Sequence, residues 1–177
     1  RLEPAALDLI GRILKRSGRY ADAVDHHLRA LALARDSGDE EDEADFLVSL
    51  GETRLAQEDT GRALHDIRHA VALSERSENR PLRAGALNAL GRALSLDGQP
   101  EEARLSHEQA LDLSAPDVDR YEAARALDGI AATYRSDGEP TRARRFWLRA
   151  LEIYTDLEVP EADEVRMHLR NLDAIPT

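Results

Sequence analysis

Apolar and polar positions alternate along the chain at the three- and four-residue spacing of amphipathic helices, and the pattern returns at a fixed interval. Leu7, Ile10, Gly11 and Leu14 form a first stripe, closed by the polar turn Arg16-Ser17-Gly18-Arg19. Ala23, His27, Ala30 and Leu31 form a second, which predicts a helix from about Tyr20 to Ala34. The same pair of stripes recurs as Leu47, Leu50 and Gly51, a turn at Asp59-Thr60-Gly61, then Ala63, Ile67, Ala70 and Val71. It recurs again as Leu87, Leu90, Gly91 and Leu94, the turn Asp97-Gly98-Gln99-Pro100, then Ala103, His107, Ala110 and Leu111. A last copy reads Leu127, Ile130, Ala131 and Tyr134, Asp137-Gly138-Glu139-Pro140, then Ala143, Trp147, Ala150 and Leu151.

Individual columns hold the interval. Gly11, Gly51 and Gly91 are 40 residues apart, with Ala131 in the fourth place. Ala23, Ala63, Ala103 and Ala143 form one column, Ala30, Ala70, Ala110 and Ala150 another, and Leu33, Leu73, Leu113 and Ile153 a third. A chain written four times at one period is a stack of a single supersecondary unit, whose function is expected on a shared surface rather than in an enclosed pocket. The expected division is one domain over 1–177, with units at about 4–43, 44–83, 84–123 and 124–160. Residues 161–177 follow as a capping helix, with Val165, Leu169 and Leu172 turned to the fourth unit. Polar stretches lie between the units: the acidic run from Asp36 to Glu43, Ser77 to Pro81, and Ser114-Ala115-Pro116-Asp117. The acidic run reads as a solvated connection and helix start.

A glycine inside a helix costs about 1 kcal/mol relative to alanine, so the glycine column implies a close approach by a second backbone, with the Ala23 column serving the same crossing. Pro100 and Pro140 fall at the start of a second helix, where a missing N–H costs little.

These columns resemble the tetratricopeptide repeat, whose units carry Leu, Gly and Tyr in the first helix and Ala, an aromatic residue and Ala in the second. The resemblance covers almost the whole chain and implies an all-α fold, a right-handed α–α superhelix with a 40-residue period. His27, Ile67 and His107 depart from it at the aromatic position, and Arg54 stands where Tyr is usual. The long period, with Gly18-Arg19-Tyr20, the run His26 to Leu33 and Leu157 to Ala162, is similar to a narrower group: the C-terminal repeat region of large actinobacterial transcriptional regulators. That resemblance implies a regulatory module for antibiotic and secondary-metabolite genes, with DNA-binding and nucleotide-binding parts lying outside this chain. The chain opens at Arg1, inside a repeat-like pattern, as a piece of something larger would.

Composition narrows the function classes. With 24 basic and 35 acidic residues the formal charge is -11, which argues against direct nucleic-acid contact by this chain. The absence of Cys excludes a disulfide framework and a Cys-based zinc site. No apolar run reaches the length of a membrane span and no secretory pattern is present, so a cytoplasmic protein is expected. His65 and His69 share a helix face, but no third ligand has fitting spacing, and no metal or cofactor is expected. His27 and His107 occupy an inward column and read as packing residues, and His26 as a surface residue. No GxxxxGK, HExxH or Ser/His/Asp arrangement stands out, so an enzyme is not expected.

In the resembling family the first helices line the concave face. Carried onto this chain, that implies a groove lined by Arg12, Lys15, Arg16, Glu52, Asn88, Arg92, Arg125, Asp128 and Arg135. The set is mostly basic on an acidic chain, which points to a protein partner: an acidic peptide, a C-terminal carboxylate or an acidic segment of the parent protein. The bland alternative is that these are ordinary solvated helix residues. The rival function is a structural module that self-associates as a dimer through exposed caps.

Overall fold

A computed structural model describes residues 2–114 and 119–173, and within them every regular element is an α-helix. They are α1 (Leu2–Arg16), α2 (Tyr20–Ser37), α3 (Glu40–Ala56), α4 (Thr60–Ser74), α5 (Arg80–Leu96), α6 (Pro100–Leu113), α7 (Arg120–Ser136), α8 (Pro140–Asp156) and α9 (Glu161–Asp173). The last residues of the expected capping helix, 174–177, and residues 115–118 of the third connection lie outside the described residues.

The local chemistry accounts for the boundaries. Asp39, Asp59 and Asn79 each stand before a helix and accept a hydrogen bond from the backbone N–H of Asp42, Arg62 and Leu82, respectively. The acidic run beyond Asp39 is the first turn of α3, where carboxylates suit the positive end of the helix. Pro100 and Pro140 open α6 and α8. The tight turns inside the units need a left-handed residue, supplied by Gly18 (φ 74°), Gly98 (φ 78°) and Gly138 (φ 74°). In the second unit Glu58 takes that conformation instead, at φ 62°.

Each helix packs on its sequence neighbours, as α–α hairpins joined by short turns must. First helices also touch the first helix of the next unit, α1 on α3, α3 on α5 and α5 on α7, which puts them on the inner, concave side of a right-handed solenoid. The core is thin and continuous. The alanines at 23, 30, 63, 70, 103, 110, 143 and 150 are fully buried, which lets helix axes approach closely.

The glycine column works differently from the sequence expectation. A Cβ on Gly11 or Gly91 would meet the ring of His27 or His107, at 2.5 and 2.6 Å, and one on Gly51 would meet Ile67 Cγ1 at 2.5 Å. The visitor is mainly a side chain of the unit's own second helix, although Ala63 O also lies 3.3 Å from the Gly51 position. In the fourth unit Ala131 and Trp147 share one buried cluster.

α9 closes the stack with Ala162, Val165, Leu169 and Leu172 buried in that cluster, and His168 stacks on Trp147 with ring centroids 5.0 Å apart.

Candidate functional site

The concave wall is built from the inner faces of α1, α3, α5 and α7, and a chain of polar contacts runs along it. Lys15 Nζ donates to Glu52 Oε2 at 2.7 Å, and Arg125 Nη2 reaches Glu52 Oε1 at 2.7 Å. Arg125 also pairs with Glu122 at 3.1 Å, and Asn88 Nδ2 donates to the Glu122 carboxylate and carbonyl at 2.8 and 2.9 Å. Glu52 thus lies between a lysine from the first unit and an arginine from the fourth.

Electrostatics follows from this geometry. Burial opposes a charge on Glu52, but Arg125, Lys15 and Arg92 outweigh it and hold its pKa at about 2. Burial likewise works against the Arg125 cation, and Glu52 and Glu122 overcome it, raising its pKa. Asp45 is exposed on the concave wall, and partial desolvation by its surroundings, then the neighbouring Asp8, raises its pKa. Burial also raises Asp128, against the hydrogen bond it accepts from Trp147.

Of the groove residues implied by the sequence, the structure brings Lys15, Glu52, Asn88 and Arg125 into one network. Asp128 faces inward, accepting from Trp147 Nε1 at 2.8 Å. Arg12 is half-exposed and lies 3.5 Å from Asp8. Arg16, Arg92 and Arg135 are exposed and make no ion pair among the described residues. The groove is therefore less basic than the residue types suggest, since Arg12, Lys15 and Arg125 are already paired internally.

Sequence reasoning passed over Asp8, Asp45 and Glu122, yet a signal for one of them was present. Asp8 accepts from His27 Nδ1 at 2.7 Å, Asn88 from His107 Nδ1 at 3.1 Å, and Asp128 from Trp147, each pair 19 residues apart. Only the second unit has an apolar residue in the second-helix column, Ile67, and there the first-helix partner is Val48. A donor in one column is matched by an acceptor in the other, as burial requires. Arg54, the departure from Tyr, is likewise explained by its ion pair with the buried Asp66, while in the fourth unit Tyr134 stacks on Phe146 at the same two positions. Gly129 was also missed; it seats the far side of the His107 ring, at 2.3 Å from a Cβ built there. For Asp45 and Glu122 no pattern in the sequence marks a role.

His27 and His107 are buried, and His65 and His69 are exposed on α4. Among the described residues no group of three or more His, Asp or Glu is placed to hold a metal, and no helix is long and apolar enough to cross a membrane.

Comparison with known proteins agrees with this geometry. Two models described as tetratricopeptide repeat match the chain, one over residues 2–76 and 42–115 and the other over 123–160. No curated protein matches it in sequence. A Rap protein solved in complex with competence and sporulation factor superposes with a TM-score of 0.85 at 19% identity, over 97% of this chain and 48% of that one. A putative kinesin light chain from Podosopora anserina, with nearly identical TPR-like repeats, gives 0.72 at 17% identity, over 95% and 84%. BtubC from P. vanneervenii gives 0.70 at 20%, over 88% of this chain and 64% of that one. The chain thus spans under two thirds of the BtubC chain and about half of the Rap chain. At these identities the likeness is one of fold.

Proposed function

The chain belongs to the tetratricopeptide repeat family, and from that premise we propose that it is a non-catalytic recognition module whose concave groove takes an acidic protein or peptide segment. The observation that carries this reading is the exposed set Arg16, Arg92 and Arg135, guanidinium groups that make no ion pair among the described residues, on a wall where Lys15, Glu52, Glu122 and Arg125 are already matched. Guanidinium groups pair with carboxylates in a planar, two-point fashion, so an acidic ligand gains these contacts without breaking the Lys15–Glu52–Arg125 chain. The Arg92 charge works against the effect of burial on both Glu52 and Asp128, which supports a role for it between the second and fourth units. The likeness to a Rap protein solved in complex with competence and sporulation factor supports a bound partner.

The biological setting of this reading is the regulatory end of a cytoplasmic bacterial transcriptional regulator. Occupation of the groove would there change how the repeats restrain DNA-binding and nucleotide-binding parts of the same protein, with no direct nucleic-acid contact by the repeats.

Calorimetric titration with hexaglutamate and hexalysine peptides tests the groove. Hexaglutamate is expected to bind despite the chain's charge of -11, weakening as salt is added, and the paired reversal Arg92→Glu with Arg135→Glu is expected to abolish it. Equal affinity in the reversed variant, or preference for hexalysine, refutes the acidic-ligand reading.

A further inference from the structure

The second helix of each unit lies on the outside of the stack, and two neighbours there, α6 and α8, carry opposite charge. On α6 the exposed residues Glu101, Glu102, Leu105, Glu108 and Asp112 fall on one helix face. Their carboxylates make no ion pair among the described residues, where the cation of α6, Arg104, is matched to Asp137. On α8 the exposed face carries Arg142, Arg145 and Arg149 instead. Arg142 pairs with Glu139 at 3.0 Å, while Arg145 and Arg149 make no ion pair among the described residues. α6 packs on α5 and α7, and α8 on α7 and α9, so neither outer face is an end of the stack.

The opposite charges stand on the flanks that the two helices turn toward each other. Arg104 of α6 and Arg142 of α8 both lie against the Tyr134 ring, at 5.2 and 5.4 Å from its centroid. Arg149 lies 6.0 Å from the centroid of Phe146, which stacks on Tyr134. These contacts identify the facing flanks. Glu101 and Glu108 stand three and four residues from Arg104, on its side of α6, and Arg149 stands seven residues from Arg142, on its side of α8. Across the cleft between them, no ion pair joins α6 to α8 among the described residues.

We propose that this outer cleft is the seat of a two-fold interface between two copies of this chain, the acidic face of α6 in one copy meeting the basic face of α8 in the other. An axis running along the cleft sets α6 over α8 of the other copy and α8 over its α6 together, the self-complementarity an isologous contact requires. The repeat brings the charges into register. Position 101 is level with 141 and position 108 with 148, so Glu101 meets Arg142 of the other copy and Glu108 meets Arg149, each within one residue of level. Leu105 covers the aliphatic stem of Arg145. Around the axis the four helices read acidic, basic, acidic, basic. A uniformly acidic or basic partner would match one helix and be repelled by its neighbour, so the pattern selects a second copy. The contact is small, and the dimer is of the weak, concentration-dependent class. The groove lies on the opposite side of the stack, and this inference is independent of the ligand proposed for it.

Sedimentation equilibrium over about 1 to 200 µM is expected to pass from the 19.7 kDa monomer toward twice that mass. About 0.15 M salt suits the measurement, because it screens repulsion between the two acidic chains beyond about 8 Å. Glu108→Arg and Arg149→Glu are each expected to weaken association by about 10-fold or more, although the first lessens the net negative charge. Both side chains are exposed, so helicity and melting are expected to hold in each variant. A mixture of the two single variants is expected to associate like the parent, since every α6–α8 contact between unlike copies is then complementary. That rescue arises only from pairing between copies. A monomer at every concentration, single variants that associate as the parent does, or a mixture no better than its components overturns the proposal.

Discussion

Arg125 meets Glu52 at 2.7 Å although 73 residues separate them in sequence. α3 and α7 belong to the second and fourth units, with α5 between them, so this ion pair is a strap across the inside of the superhelix. It exists only because the stack curves toward its first helices. Both side chains are largely withdrawn from water, at 16% and 21% exposure, so removing one partner strands the other's charge.

Glu52→Gln is therefore expected to cost about 1–3 kcal/mol in urea unfolding, and to increase the radius of gyration in small-angle scattering as the strap opens. The native carboxyl titrates at about 2, against 4.5 for an unperturbed glutamate. Its contribution is complete above pH 4.5 and is lost as pH falls toward 2. Glu52→Gln should flatten that part of the acid limb. An unchanged scattering profile would show that packing alone sets the curvature.

His107 provides a second pH dependence in a higher window. Burial, then the Arg125 charge, depresses its pKa from 6.5 to about 4. Between those values the unfolded chain binds a proton that the folded chain refuses, so stability is full above pH 6.5 and falls as pH drops to 4. Asn88→Val alone removes the acceptor of the His107 Nδ1–H and is expected to cost about 1–3 kcal/mol. Asn88→Val with His107→Ile reproduces the Val48–Ile67 pair of the second unit, and should recover the part of that loss due to the stranded imidazole, though not the Asn88 bonds to Glu122, while removing the dependence between pH 4 and 6.5. Melting curves at a series of pH values separate the two variants.

Gly51→Ala should destabilise despite the helical preference of alanine. The added methyl would lie 2.5 Å from Ile67 Cγ1 and 3.3 Å from the carbonyl oxygen of Ala63, which cannot move without its helix. Overpacking of this kind costs about 1–3 kcal/mol, against about 1 kcal/mol gained from propensity. Ile67→Val in the same chain should restore part of the loss. A Gly51→Ala variant more stable than the parent would show that the Ile67 side chain turns aside freely.

Glu58→Gly is expected to act the other way. Glu58 holds the left-handed conformation, φ 62°, at the position where the other units have Gly18, Gly98 and Gly138. That conformation costs a residue with a Cβ about 1–2 kcal/mol, and the greater entropy of an unfolded glycine returns part of it. A net gain of about 0.5–1 kcal/mol in chemical denaturation is expected. The side chain is exposed, so no packing is lost.

The fold was legible because it is local. Each column recurs at 40 residues, each unit buries the same stripe, and the turns carry their own chemistry in Asp59, Asn79, Gly98 and Pro140. The pairing of polar second-helix residues was equally present, as a 19-residue offset linking His27 with Asp8 and Trp147 with Asp128, since both partners sit in one hairpin. The role of the glycine column was legible only in part. Smallness showed that something comes close to Gly11 and Gly91, but not that it is the ring of His27 or His107.

The repeated hairpin is written in the residues themselves, because its helices are fixed by contacts between residues near one another in the chain. Which groove charges are free depends instead on how the units stack. Arg92 and Arg125 are the same residue type on successive inner helices, yet Arg125 is consumed by Glu52 and Glu122, while Arg92 makes no ion pair among the described residues. The reason is physical. Small rotations between units add up along the stack, and their sum, which no local pattern encodes, sets which carboxylate a guanidinium in the fourth unit can reach.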